Sequence, residues 1–347
     1  MMTVNSICRR TVRTGISLAW IGVIFCVILA PAPAQAQASR PFSNSIEIRD
    51  DNKRKTFYWN SKPIFSYNYA VIDPPNNLEE IYQRSGYLHP IHAPSGQIVT
   101  DDFSDDHAHQ HGVFFAFVKA KIDDKTVDFW NQHRRTGSVE HFKFVKQTNT
   151  APSNLPSGNP KLKAMLRHFA WEKKPGVGQA GVPGSKRYIF EETWLMSAKA
   201  RPGMFIIDWA SELKNVTENR VELLKNHYGP LGGRGAAAWR NPQKSEFNFL
   251  TASGKKRNNG NLSRERWAAM SGLIDSKRCG IAVIGGKNNF RSPQPVRIHP
   301  TMPYFSFAPV AEKSLILGPG ESFHSQFQII AFEGQIPVEI LNQLPPQ

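Results

Sequence analysis

The chain has 347 residues, with 43 Lys and Arg against 28 Asp and Glu, for a formal net charge of +15. Charged residues make up 20% and hydrophobic ones 40%, which excludes a disordered polyelectrolyte and allows one large core or two smaller ones. Three cysteines (Cys8, Cys26 and Cys279) are too few for a disulfide framework.

Met1 to Ala38 reads as an export signal. Arg9, Arg10 and Arg13 form a positive start, and Ile16–Ala30 is an apolar run of fifteen residues, short for a membrane span. PAPAQAQA then offers small-residue cleavage sites. Cleavage leaves a single domain over 39–347, a charge of +12 once three arginines are lost, and Cys279 as the one thiol. A periplasmic or secreted location follows. The positive charge is spread out, densest at Lys255–Arg257, and no nucleic-acid module accompanies it. It reads as a basic surface, with anionic polysaccharide or envelope as possible attractors.

Short strand-like runs follow, separated by turn residues. Ser45–Arg49, Thr56–Trp59, Ile64–Ala70 and Tyr87–Ile91 come first, with a loop at Asp73–Asn77. Gln97–Thr100 resumes a strand after the Pro94-Ser95-Gly96 turn, and Gly112–Ile122 is expected as one strong strand. Val139–Val145, Ala164–Trp171, Tyr188–Met196, Met204–Leu213 and Val221–Tyr228 continue the series, with connections at Gln147–Pro160 and Lys173–Ser185. Gly229–Gly235 looks too glycine-rich for an element interior, and the four prolines of Arg291–Pro303 predict a loop. Cys279–Ile284, Phe305–Phe307, Ser314–Leu317 and Phe323–Phe332 are the last strands. Helical patterns are confined to Glu79–Arg84 and Val338–Leu344. Many strands with Gly/Pro turns predict an all-β, mostly antiparallel sandwich.

Chemistry concentrates between Tyr87 and Trp130, which hold five of the eleven histidines: His89, His92, His107, His109 and His111. Four aspartates (Asp101, Asp102, Asp105, Asp106) lie between the two histidine groups. If Asp106–His111 is extended, His107, His109 and His111 share a face. Three imidazoles so placed could hold Zn²⁺, Cu²⁺ or Fe²⁺, with Asp106 or Asp102 as a partner. The alternative without metal is acid–base work at a sugar hydroxyl or ring oxygen; a hydrogen-bonded loop is the structural alternative. His89, fixed by Pro90, could join the same cleft, beside Tyr87. Of Glu191 and Glu192, one faces inward, and the sequence does not say which; Glu192 is taken as the carboxylate of an acid–base pair, with a solvated strand face as the structural alternative. His227, with Arg234 in the following GPLGGRG, could bind substrate, although a plain turn explains that run as well. Trp130, Trp171, Trp194, Trp209, Trp239 and Trp267 could stack on sugar rings or fill the core.

The pieces RSGYLHPIHAPSGQIVTDDF, DDHAHQHGVFFAF and VDFW resemble the PmoA-like family of exported bacterial proteins. Shorter echoes occur after His227-Tyr228, in CGIAVIG, and in LGPGESFHSQFQIIAF, whose PGE turn is similar to the end of sugar mutarotases. The resemblance implies a galactose-mutarotase-like supersandwich and, by analogy of fold, a carbohydrate substrate. Methane oxidation is not carried over, because no later apolar run reaches fifteen residues. One departure stands at His109-Gln110-His111-Gly112, where the family pattern is His-His-Arg-Gly. The expectation is therefore an exported carbohydrate-active or carbohydrate-binding protein. Epimerisation (mutarotase-like) or bond cleavage are the reactions in view. A metal-dependent oxidoreductase and a non-catalytic binding module are the alternatives.

Overall fold

In the computed structural model, residues 45–75, 77–146, 159–172, 185–241 and 246–344 are described. The stretch expected as an export signal, and most of the two connections expected at Gln147–Pro160 and Lys173–Ser185, lie outside them. The strands pair antiparallel and build three sheets. The nine-stranded sheet runs in the order Ile46–Asp50, Arg54–Trp59, Lys62–Asn68, Tyr87–Ile91, Val113–Phe115, Leu231–Arg234, Tyr304–Phe307, Pro295–Ile298, Ser263–Arg264. The eight-stranded sheet runs Asn248–Thr251, Trp267–Ile274, Lys277–Gly285, Ser322–Glu333, Met204–Asn215, Lys186–Arg201, Lys161–Trp171, Gly137–Phe144. A four-stranded sheet joins Leu315–Leu317, Val221–Leu223, Ala120–Ile122 and Lys125–Val127.

Alternation along each strand sends one row of side chains inward, and aromatic pairs join the two large sheets face to face. Ring centroids lie 6.1 Å apart for Trp59–Phe205, 5.8 Å for Tyr67–Trp194, 5.2 Å for Phe115–Trp209 and 5.2 Å for Phe307–Phe327. Each of these aromatics that is fully buried contributes about 2–3 kcal/mol. A second apolar cluster, including Met204, Ile206, Trp267 and Phe332, packs under the C-terminal helix Val338–Gln343 through Leu341 and Leu344. The fold is thus the all-β antiparallel sandwich that the alternation predicts, and Cys279 is buried within it.

Four local expectations fail for identifiable reasons. Gly112–Ile122 is not one strand. Val113–Phe115 belongs to the nine-stranded sheet and Ala120–Ile122 to the four-stranded one, so the chain changes sheets between them. The glycine run does contain a strand, Leu231–Arg234: a Cβ on Gly232 would come within 2.6 Å of Trp130 and 3.0 Å of the Tyr304 hydroxyl, so close packing requires the bare backbone there. Pro295–Ile298 is a strand inside the proline-rich stretch, near the sheet edge, where a missing N–H is tolerated. Gln97–Thr100 makes only isolated bridges, His92 to Ile98 and Thr100 to Gly235.

Candidate functional site

The connection from Tyr87–Ile91 to Val113–Phe115 leaves the sheet, turns at Ala93–Gln97, and is fastened where it returns. Asp101 N–H donates to the Arg234 carbonyl (3.2 Å), Gly112 N–H to the Asp101 carbonyl (2.8 Å), and Arg234 N–H to the Gly112 carbonyl (2.7 Å). Between these ties, residues 102–111 form a short excursion. His107 N–H donates to Ser104 (3.0 Å) and Gln110 N–H to His107 (2.9 Å), so Asp106–His111 is turned, not extended. This overturns the common face expected for its three histidines.

His111 is fully buried at the base of the excursion. Its Nδ1 donates to Asp102 Oδ1 (2.6 Å), and its Nε2 meets Gln132 Oε1 (3.1 Å). The Gln132 amide in turn donates to the Gln83 carbonyl (2.7 Å), and the Tyr87 hydroxyl donates to Asp102 Oδ2 (2.8 Å). Both ring nitrogens of His111 therefore face acceptors, leaving neither for a metal. The expected ligand triad His107, His109, His111 is not assembled. Among the described residues no group of three or more His, Cys, Asp or Glu converges on a metal position. Burial alone would raise the Asp102 carboxyl, but His111, His89 and Tyr87 hold it below the usual carboxylate range. His89 lies behind the excursion, its Nδ1 within 2.9 Å of the Thr100 hydroxyl.

At the tip, a different row forms. The rings of His107 and His109 are 5.5 Å apart, His109 and His133 5.5 Å, and His107 and His299 6.1 Å. His133 comes from the turn Gln132–Arg134 and His299 from the segment before Tyr304–Phe307. Neither was singled out in the sequence, because each is a lone histidine far from the cluster. Behind the row stands Arg234, fully buried; it donates to Asp106 Oδ1 (2.8 Å) and Gln110 Oε1 (3.0 Å). Asp106 Oδ2 lies 3.6 Å from His107 Nδ1. Arg240 adds two hydrogen bonds to Asp101 Oδ2 (2.8 and 2.6 Å). Arg234 is thus a positioning residue for Asp106, not an open substrate contact.

Burial disfavours the charged imidazoles. It pushes His109 down to about 3, with His107 and His133 adding to the effect, and His299 down to about 4, with Arg297 and His107 adding. His89 falls to about 4 by burial, against the pull of Asp102. His107 is lowered by burial too, with Asp106 opposing and Arg234 reinforcing. In the unfolded chain these groups take up protons near 6.5. Between about 6.5 and 3 the unfolded state then binds more protons than the folded one, so stability falls as the pH drops through that window. His109 alone is expected to account for on the order of 3 kcal/mol lost by pH 4. Urea midpoints of wild type and His109→Asn from pH 7.5 to 4 check this: the variant should show the shallower slope, and equal slopes would refute it.

Three further candidates are corrected. Glu192 does face inward, but into the core: its Oε1 accepts from Trp194 Nε1 (2.6 Å) and the Ser211 hydroxyl, and its Oε2 from His168 Nε2 (2.7 Å). None of the cleft histidines is among its partners. Glu191 faces outward and pairs with Arg167 (2.8 Å). His227 is exposed and rests against Tyr228 (4.5 Å), with no ring contact to the row. Tyr87 is buried and reaches Asp102, so it orients that carboxylate instead of lining the cleft.

A family model, "Family of unknown function (DUF6807)", matches residues 56–344. No curated protein matches the chain. Solved structures resemble it at low identity. A galactose mutarotase related enzyme from Lactobacillus acidophilus has a TM-score of 0.36 and 10% identity, covering 84% of this chain and 97% of that one. A galactose mutarotase-like protein from Lactobacillus casei has 0.35 and 8%, with 83% and 100% covered. The galactosidase domain of an alpha-galactosidase-sucrose kinase has 0.40 and 12%, with 84% and 42% covered.

Proposed function

We propose that this chain, which belongs to the DUF6807 family of unknown function, is an exported protein that binds or transforms a carbohydrate at the His107–His109 cleft. Its likeness to the PmoA-like proteins over residues 84–130 is part of the same reading. The observation that carries it is the line Arg234–Asp106–His107, at 2.8 and 3.6 Å, opening onto a row of imidazoles. A buried guanidinium fixes the carboxylate. The carboxylate faces one ring nitrogen of His107, leaving the other for a substrate proton. His109, held neutral, can accept or donate a hydrogen bond but carries no resting charge. Sugar hydroxyls and a ring oxygen are suited to such neutral, two-way partners. The simplest reaction the arrangement supports is loss of the anomeric hydroxyl proton to His107 as the bond between the anomeric carbon and the ring oxygen opens and the ring oxygen takes a proton from water, with the reverse closure giving the other anomer.

Saturation-transfer NMR of anomer exchange, run over a panel of hexoses and pentoses, tests this. At least one sugar is expected to bind and exchange faster than in buffer, and the His107→Asn/His109→Asn double variant to lose about a hundredfold of that acceleration with its circular dichroism unchanged. If no sugar binds, the carbohydrate reading fails. If sugars bind but the double variant binds equally well, the site lies elsewhere.

A further inference from the structure

An open cavity of about 400 Å³ is lined in part by Gln83, Arg84, Gln132, Phe169, Trp171 and Lys186. Arg84 is 1% exposed. Its guanidinium makes one long hydrogen bond, from Nη1 to the Phe129 carbonyl (3.5 Å), and its Nε and Nη2 have no partner. The guanidinium lies 5.4 Å from the centre of the Phe114 ring and makes no ion pair among the described residues. The cavity's other cations are matched: Arg135 pairs with Glu79 (2.6 Å) and Lys186 with Glu140. Glu80 is exposed at the rim.

A buried, unpaired cation is costly, and a native structure that retains one usually has something to satisfy it. The two unsatisfied groups, Nε and Nη2, form the guanidinium edge that takes both oxygens of a carboxylate side by side. Phe169 and Trp171, with ring centroids 4.8 Å apart, form an aromatic wall on which the Lys186 ammonium rests, 4.5 and 5.8 Å from the ring centres, so a sugar-sized ring would stack there in place of that side chain. Gln83 and Gln132 supply amides. Asp102 and Glu192 attract the guanidinium without forming an ion pair with it, so a single further negative charge suits it better than a dianion.

We infer that this cavity is a second binding site, for a small ring compound bearing one carboxylate, with the chemistry of a uronic acid, and that Arg84 is its anion receptor. The site goes beyond the proton-transfer reading and does not depend on it. Burial lowers the Arg84 pKa to about 10, so the side chain stays charged at neutral pH. Gln132 lines this cavity, while the next residue, His133, belongs to the imidazole row, so the two sites share one short turn.

The test is calorimetric titration of the full chain with D-glucuronate, D-glucose and inorganic phosphate. Glucuronate is expected to bind saturably, and glucose and phosphate at least tenfold more weakly. Arg84→Met should lose at least tenfold in glucuronate affinity while its unliganded melting temperature holds or rises, since a buried charge without an ion-pair partner has been removed. A fall in melting temperature, or failure to fold, would mark Arg84 as structural and overturn the proposal. Trp171→Ala, on the half-buried wall, gives an independent reading: about tenfold weaker binding supports the site, and unchanged affinity overturns it. His107→Asn/His109→Asn should bind glucuronate as wild type does. Loss of binding there would place the ligand in the histidine cleft, and absence of glucuronate binding to wild type would sink the cavity proposal while leaving the sugar-exchange reading to its own test.

Discussion

Glu192→Ala is expected to cost about 3–5 kcal/mol of unfolding free energy. The carboxylate is completely buried and accepts from Trp194, Ser211 and His168. Alanine removes both carboxylate oxygens, and with them three hydrogen bonds, and leaves an indole N–H, a hydroxyl and an imidazole N–H in a dry core, each facing a desolvation penalty of about 1–3 kcal/mol. The neighbouring Glu191→Ala supplies the control. Glu191 and its partner Arg167 are both partly exposed to solvent, so the loss there should stay under about 1 kcal/mol. Glu192→Gln should fall between the two, because an amide still accepts at one oxygen but presents a donor to His168. Urea unfolding of the three variants decides the matter. If Glu192→Gln keeps full stability yet abolishes sugar exchange, Glu192 is catalytic after all and its assignment to the core is wrong.

Gly112→Ala should be still more damaging to the cleft, at about 4 kcal/mol or more. Gly112 has φ +47, a left-handed conformation that a side chain disfavours. An added Cβ would lie 2.1 Å from the Leu88 carbonyl oxygen and 2.8 Å from His89 Cβ. Backbone oxygen has no rotamer to escape into, so the Tyr87–Ile91 strand or the excursion must move. The same glycine donates to Asp101 and accepts from Arg234, which ties the base of the histidine loop. A variant that expresses and melts within about 1 kcal/mol of wild type would contradict this packing.

Much of the sandwich could be read from residues alone. Period-two alternation with aromatic residues located Tyr87–Ile91, Met204–Asn215 and the last strand to within a few positions, because those strands are half-buried or core-facing. Trp267–Ile274 and Asn248–Thr251 went unmarked: the first is rich in alanine and glycine, and the second is short. The cleft was half legible. The clustering of His107 and His109 pointed to the right loop, but the alternation argument assumed an extended chain where hydrogen bonds from Ser104 to Gln110 impose turns. His133 and His299 reach the row only through tertiary folding, and no local pattern announces them. Arg84 gave no signal either. Its significance rests on what it fails to touch, which only the folded arrangement reveals.

The last strand, Ser322–Glu333, does not lie at an edge. It is inserted between Lys277–Gly285 and Met204–Asn215, in the middle of the eight-stranded sheet. Four strands lie on its Met204–Asn215 side and three on the other. During synthesis neither half can be joined to the other until the chain past residue 333 has left the ribosome, so the larger part of the molecule must wait, with open strand edges, for its final segment. Closure of this kind pairs segments more than a hundred residues apart, which makes folding slow and leaves the waiting chain dependent on protection from its neighbours.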